Sequence, residues 1–219
     1  MNEQNYISRQ ITVYKTDKKL IEFLDKLKPA PTNYYAHIHS FGDRDEDGVR
    51  QISCIGIVLQ DYSKGTGDKT VRVTANISPD EAEYILLQLK NKVSDFELKQ
   101  EKIFGEPDKN GRSTVTKLRI IRAEVGSDGK KRNYPWYVEI CNGTGIKAKS
   151  NKGGYYIKSD SYKEERKIFI NINELDFFKL MNRVSSYIKA WEQTVAPHII
   201  MSGKQAIAEA MAEAQAVVE

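Results

Sequence analysis

The chain has 219 residues, of which 40% are apolar and 29% charged, and its formal net charge is +4. This composition predicts a globular protein with a buried core, arranged as one large domain or two small ones. It excludes a membrane-spanning protein, because no apolar run approaches the roughly 20 residues that cross a bilayer. The N-terminal residues lack the basic start and apolar stretch of a secretory signal, so we expect a cytoplasmic protein without membrane contact.

The predicted elements of the first half are a strand, a helix, three strands and a second helix. Apolar residues first alternate and then recur at helical spacing, until two prolines interrupt the pattern. Ser78 can cap the second helix, Pro79 suits its first position, and Glu81 can complete a capping box. In chain order we predict a strand over 7–13, a helix over 17–27, strands over 34–41, 50–61 and 69–77, and a helix from 79 to about 95.

A glycine-rich segment with a proline, residues 105–111, is the predicted boundary between the two halves. The second half repeats the plan, with Asn173 as the helix cap. We predict strands over 114–125, 134–142, 145–149 with 155–158, and 165–172, a helix to about 191, and breaks at Pro197 and Gly203. The Ala-rich segment 204–218 forms a separate helix in this prediction. Its narrow apolar stripe (Ile207, Met211, Ala214 and Val218) suits docking to a protein partner or self-association into a homo-oligomer.

Residues 71–90 and 166–185 are similar at an offset of 95 residues. Each segment reads as a strand followed by a helix, with apolar residues at the same positions. The matched pairs are Val73 with Ile168, Ala75 with Ile170, Asn76 with Asn171, Ile77 with Ile172, Ile85 with Leu180, Leu86 with Met181 and Leu89 with Val184. A repeat much longer than about 50 residues indicates two related half-domains rather than a solenoid. We expect a first half over 1–104, a second over 105–196 and a C-terminal helix over 197–219, with the halves packed as one domain.

The recognisable catalytic motifs each fail at a defining position. The acidic stretch 43–48 begins like a calcium loop, but its twelfth position is Cys54, where calcium needs a bidentate glutamate. Residues 65–70 resemble a phosphate-binding loop, yet Asp68 interrupts the motif and the segment joins two strands. Residues 143–145 lack the third glycine and the helix of a dinucleotide fingerprint.

Histidines and cysteines give no convincing metal site either. His37 and His39 would share one face of a strand and could hold a metal with Asp43 or Asp45. A metal nuclease needs several well-placed carboxylates, however. Cys54 and the second cysteine, Cys141, could pair, but buried free thiols fit a reducing cytoplasm better. We therefore expect no metal, no cofactor and no catalysis.

The charge is concentrated in residues 102–167, which hold 16 Lys and Arg against 8 Asp and Glu, so this stretch is +8 and the remainder −4. A local basic block predicts an anion-binding face, the alternative being solvated strands and loops. Aromatic residues are interleaved with the cations, and alternation allows only one of Trp136 and Tyr137, and one of Tyr155 and Tyr156, to be buried. Cations that follow phosphates and rings that stack on bases are what single-stranded nucleic acid requires. The candidate binding residues are Lys130, Lys131, Arg132, Tyr134, Trp136, Lys147, Lys149, Lys152, Tyr155, Lys158, Tyr162 and Lys163.

Groups of strands each closed by one helix, given twice in one chain, resemble the Whirly and PUR-alpha architectures, and one unit resembles the PC4-type coactivator domain. The resemblance covers residues 34–191 as a pattern of elements. It implies curved antiparallel sheets that bind single-stranded nucleic acid, with helices holding the repeats or subunits together. We therefore predict an α+β protein of two sheet-and-helix halves that binds single-stranded nucleic acid, most simply DNA, and could come from a phage or mobile element. The alternative is a protein-interaction or inhibitor module whose basic face meets an acidic partner.

Overall fold

A computed structural model of the chain describes residues 7–44, 48–151 and 153–216. Within these ranges the fold is α+β with antiparallel sheets, as predicted, and it has two α-helices where four were predicted. The strands are β1 (Gln10–Lys15), β2 (Lys19–Lys26), β3 (Phe41–Arg44), β4 (Arg50–Ile52), β5 (Cys54–Asp61), β6 (Val71–Ile77), β7 (Asp95–Phe104), β8 (Ser113–Ala123), β9 (Trp136–Gly145), β10 (Lys147–Lys149), β11 (Tyr155–Ile157) and β12 (Lys163–Ile172). The helices are α1 (Pro79–Lys90) and α2 (Glu174–Ala216).

The first half is a four-stranded antiparallel sheet in the order β1-β2-β5-β6, followed by α1. The β3–β4 hairpin is inserted between β2 and β5. Alternate residues of β6 are buried, whereas β5 is buried on both faces over most of its length, as a continuous apolar run predicts. The predicted capping box begins α1: Ser78 Oγ accepts from the Glu81 N–H, and Glu81 accepts from the Ser78 N–H.

The second half has a four-stranded antiparallel sheet whose strands also lie side by side in chain order, β7-β8-β9-β12, and α2 follows it. The β10–β11 hairpin is inserted between β9 and β12. Asn173 caps α2, because its Oδ1 accepts from the Asp176 N–H at 2.8 Å. The two caps, Ser78 and Asn173, are themselves 95 residues apart. Descent of the two halves from one duplicated unit remains a prediction.

One hydrophobic cluster contains the inner faces of both sheets and of both helices. All six apolar pairs of the repeat lie in it, from Val73 with Ile168 to Leu89 with Val184. Helix α2 also packs along the first half. The Tyr187 hydroxyl donates to Asp25 at 2.9 Å, and Trp191 stacks on His39 with ring centroids 4.8 Å apart. The second half's helix therefore covers both halves of the molecule.

The helix predicted over 17–27 is wrong, because residues 19–26 of this segment form strand β2. Ile21 and Phe23 are buried, two residues apart, and Leu27 continues the alternation. A short apolar run fits the period of a helix as well as that of a strand. Here pairing with β1 and β5 stabilises the strand. The strand predicted over 34–41 is also wrong. A 3-10 helix, Thr32–His37, ends at Ile38 in a positive-φ conformation before β3 begins.

Helix α1 ends at Lys90, earlier than predicted, and a strand that the sequence pattern did not indicate follows it. This strand, β7, pairs with β8 along its whole length. Residues 105–111 therefore connect two strands of one hairpin. The division between the sheets lies at residues 91–94, before β7, rather than at the glycine-rich segment.

The predicted break near Pro197 is absent, since α2 runs without interruption through 43 residues. Proline removes one hydrogen bond and costs about 3 kcal/mol in a helix interior. Contacts on both sides of Pro197 offset that loss: Trp191 packs on His39, and Gly203 is buried beneath Tyr35. Neither helix in the described ranges has an apolar stretch of the length that a membrane span requires. Val218 of the predicted apolar stripe lies outside the described residues.

Candidate nucleic-acid interface

The candidate binding residues fall into two groups at opposite ends of the second sheet. Residues 130–134 lie in the connection from β8 to β9, whereas residues 147–163 follow the far end of β9. The 10 residues of β9 separate the groups. At about 3.4 Å per residue, this strand is roughly 30 Å long. The structure therefore does not bring the predicted residues together on one face.

The group at the β8–β9 connection has mixed charge. Lys131 pairs with Glu124 at 3.2 Å, whereas Lys130 and Arg132 are exposed. The ring of Tyr134 is exposed beside them. A cavity of about 800 Å³ opens next to this loop. Glu124 and Glu174 line it and pair with two of its four cations, Arg122 and Lys131, while Lys90 and Lys92 are the other two. Carboxylates among the cations make this end a poorer anion site than the sequence suggested.

Trp136 is not a binding residue, contrary to the prediction. Its side chain has 0% exposure, and its ring lies between Phe96 and Phe177 with centroid distances of 5.9 and 4.5 Å. The indole Nε1 donates to Glu174 at 3.2 Å. Because the second sheet buries this face against α2, the ring belongs to the core. Tyr137, its neighbour on the other face, is half-buried.

The second group is built on the β10–β11 hairpin. Tyr155 and Tyr156 are 61% and 52% exposed, so neither ring is buried. The Lys147 ammonium lies 5.3 Å from the Tyr155 ring centroid and donates to the Gly105 carbonyl. Ile157 anchors the hairpin over Gly145, where a Cβ atom would lie 3.2 Å from the Ile157 side chain. The hairpin thus holds two rings in water beside cations.

The remaining cations of this group surround the same hairpin. Lys149 and Lys158 are exposed on it, and Lys163 is exposed at the start of β12. None of the three forms an ion pair with any residue within 7–44, 48–151 and 153–216. Lys152, also predicted, lies outside the described residues. The group therefore retains three unpaired positive charges for a ligand.

Tyr162 is less suited to stacking than predicted. The Lys117 ammonium covers one face of its ring at 4.2 Å from the centroid. Burial raises the pKa of Tyr162 to about 12, and its hydroxyl is buried without a hydrogen-bond partner in the described part of the chain. A ring held in this way packs against the sheet. We therefore remove Tyr162 from the stacking residues.

The two histidines do not share a face. His37 stacks on Tyr34, whereas both ring nitrogens of His39 are occupied, by Ser53 at 2.8 Å and by Glu192 at 3.0 Å. The described ranges contain no group of three or more His, Cys, Asp or Glu side chains that could hold a metal. Asp45 of the predicted acidic loop lies outside these ranges. Both cysteines are free and buried, and burial raises the pKa of each thiol.

A basic cleft that the sequence did not suggest lies between the first sheet and the end of β7. It has a volume of about 640 Å³. Its cations are Arg9, Lys26, Lys28, Arg50 and Lys102, and its apolar lining includes Ile52, Ile77 and Phe104. The cations come from four separate segments. Two sequence features could have indicated the cleft. Lys26 and Lys28 are two residues apart, as residues on one face of a strand are, and so are Lys102 and Phe104. The second pair lies in β7, the strand that the sequence pattern did not indicate.

Comparisons of this chain with protein-family models, curated proteins and solved structures found no match. The functional argument therefore rests on the geometry and charge of the two surfaces at the β7 end of the molecule. These are the β10–β11 hairpin and the basic cleft, which meet at Gly105 because Lys147 of the hairpin donates to its carbonyl while Phe104 lines the cleft.

Proposed function

We propose that the protein binds single-stranded nucleic acid, without chemistry, in the cytoplasm. The observation that carries the proposal is the exposure of Tyr155 and Tyr156 on one hairpin beside Lys147, Lys149 and Lys158. Neighbouring strand residues point to opposite faces, so both faces of this hairpin present a ring. Each ring can stack on an unpaired base, which is worth about 1–3 kcal/mol per base.

The charge around the rings supports a polyanion as the partner. Hairpin cations without carboxylate partners can follow a phosphate backbone, and their binding would release counterions. The outer face of the second sheet, in contrast, pairs its charges internally. Arg119 lies 3.0 Å from Glu97, and Lys167 lies 2.7 Å from Glu139. An acidic partner would therefore find few unpaired cations on the outer face of the second sheet. The β10–β11 hairpin is the stronger anion-binding surface of the two.

Fluorescence anisotropy with matched single- and double-stranded oligonucleotides tests the proposal. We expect tighter binding to single strands, because rings cannot stack on bases that are already paired. Affinity should fall as the salt concentration rises. Equal binding to the two forms, or none at low salt, would contradict the proposal and favour a protein partner.

Substitutions on the hairpin separate the contribution of phosphate contacts from that of base stacking. The double variant Lys147→Gln/Lys149→Gln should lower both affinity and salt slope, the latter by about 1.4 for two phosphates. Tyr155→Ala should weaken binding with little change in slope, because it removes stacking and no charge. Tyr84→Ala is the matched control, since Tyr84 is a half-exposed ring on α1, outside the hairpin. A large loss of thermal stability in Tyr155→Ala would assign that ring to packing.

A further inference from the structure

The basic cleft holds two ammonium groups at one residue. Lys26 Nζ lies 3.0 Å from Asn76 Oδ1, and Lys102 Nζ lies 3.0 Å from the carbonyl oxygen of the same residue. Like charges brought to one site repel each other, and the partners of both ammonium groups at Asn76 are neutral amide oxygens. An anion in the cleft would relieve this repulsion.

The rest of the lining has the same sign. Arg9, Lys28 and Arg50 are exposed around the opening, and no carboxylate is among the described residues that line it. Five positive charges exceed the about two negative charges of one inorganic phosphate at neutral pH. A site with cations spread along an open cleft instead suits a chain of phosphates.

Apolar surface accompanies the cations. Phe104 and Ile52 are both about half-exposed on the cleft walls. A ring beside lysines is the combination that accepts a base next to its phosphate. The cleft also continues into the hairpin, because Gly105, the residue after Phe104, accepts a hydrogen bond from Lys147.

From this arrangement we propose that the cleft is the main track of the phosphodiester backbone of a single strand. Lys26, Lys28 and Lys102 contact its phosphates, and Phe104 stacks on one base. The strand then passes Gly105 and reaches Tyr155. This inference rests on the proposed function and assigns to it a second site, formed largely by the first half of the chain.

The test is anisotropy with a labelled single-stranded oligonucleotide and the variant Lys28→Gln/Lys102→Gln of the full chain. The salt slope should fall by about 1.4, because each single-strand phosphate contact contributes about 0.7. If the electrostatic contribution vanishes near 1 M salt, the affinity at about 50 mM salt should fall on the order of 50-fold. Both side chains are exposed, so thermal denaturation should match that of the wild type.

The matched control is Lys64→Gln/Lys69→Gln, which removes the same charge from the connection between β5 and β6, at the other end of the first sheet. It should leave the slope unchanged. Phe104→Ala should weaken binding without changing the slope, whereas Phe178→Ala, a partly exposed ring on α2, should have no effect. An equal loss of affinity in the two double variants would overturn the assignment of the cleft as a binding site. It would show that affinity depends only on the net charge of the protein.

Two further outcomes separate this inference from the proposed function. If the wild type binds the oligonucleotide and only the hairpin variants lose affinity, the cleft is overturned while the function stands. If the wild type binds no oligonucleotide, the function itself is overturned. Competition with inorganic phosphate at constant ionic strength is the last measurement. Complete displacement of the oligonucleotide would show that the cleft is a small-anion site, and would overturn its proposed role in binding the phosphodiester backbone.

Discussion

The side-chain amide of Asn142 binds the main chain of Thr74 through two hydrogen bonds. The Thr74 N–H donates to Asn142 Oδ1 at 2.8 Å, and Asn142 Nδ2 donates to the Thr74 carbonyl at 2.9 Å. Thr74 lies on β6, the edge strand of the first sheet, and Asn142 lies on β9 of the second. One side chain therefore satisfies main-chain groups that a further strand would otherwise have to pair.

Asn142→Ala should destabilise the fold by about 1–3 kcal/mol, because it removes two hydrogen bonds to Thr74 that contribute about 0.5–1.5 kcal/mol each. Urea denaturation measures the change. Asn171→Ala is the control, since Asn171 is exposed on β12, and its effect should stay within about 0.5 kcal/mol. Equal stability of the two variants would show that water replaces the amide at no cost.

Leu86→Ala and Met181→Ala should each cost about 2–5 kcal/mol. These residues occupy matching positions on α1 and α2, and both are buried in the common core. Leu87→Ala should cost far less, because its side chain is 49% exposed one position further along α1. Chemical denaturation of the three variants decides. A small loss at Met181 alone would mean that the second half tolerates a cavity that the first does not.

Glu139 should make stability depend on pH. Burial alone would raise its pKa, but hydrogen bonds from Lys167 and Tyr137 lower the pKa below its ordinary value of 4.5. A lowered folded-state pKa means that the charged form contributes stability above the unfolded pKa and loses it as pH falls through the folded pKa. Acidification from about pH 5 to pH 3 should therefore narrow the stability difference between wild type and Glu139→Gln.

Glu97→Gln serves as the comparison for Glu139→Gln. Its carboxylate pairs with Arg119 at 3.0 Å, but both side chains are about half-exposed. Exposed pairs of this kind contribute about 0–1 kcal/mol. Its stability difference from the wild type should be small at every pH. A pH profile for Glu139→Gln as flat as that of Glu97→Gln would contradict the prediction.

Gly203→Ala should be destabilising although alanine is the better helix former. A Cβ atom at Gly203 would lie 2.1 Å from a ring carbon of Tyr35. Overpacking of this kind costs about 1–3 kcal/mol, more than the roughly 1 kcal/mol that helix propensity returns. In a Tyr35→Ala background the same substitution should become neutral or stabilising. Thermal denaturation of the four chains gives the coupling between the two positions.

Deletion of residues 204–219 should leave both the fold and oligonucleotide binding intact. Residues 204–216 of α2 are all exposed and contribute nothing to the core cluster. If the stripe of Ile207 and Met211 joins copies of the chain, light scattering will show a mass above 25.0 kDa for the full chain and one near a single chain after deletion. Unfolding of the shortened chain would show that these residues support the body.

Local signals predicted those elements whose period and caps agree. The strand β6, the Ser78 cap and the Asn173 cap of α2 all follow from the sequence. The sequence did not predict those strands that are stabilised mainly by pairing with distant strands. β2 has apolar residues that fit a helix. β7 alternates charged and apolar residues only over 95–99, three further polar residues follow, and the strand becomes recognisable only beside β8.

The binding surface shows the same limit. The hairpin residues were predicted because their rings and cations are neighbours in the sequence. Trp136 was misassigned, because periodicity indicates two faces of a strand but not which one meets α2. The cleft was missed, because Lys26 and Lys102 are far apart in the chain and only the packing of β7 beside the first sheet brings both to Asn76.

The contacts of α2 with the first half also bear on how the chain is made. Tyr35 is covered by Gly203, so the first half leaves the ribosome long before the helix that covers it is complete. At about 5–20 residues per second, the interval between the end of the first half and Gly203 lasts roughly 5 to 25 seconds. During that time apolar side chains of the first sheet that α2 later buries lie open to water and to other chains. A nascent chain stalled before residue 174 should therefore recruit chaperones that the finished protein does not.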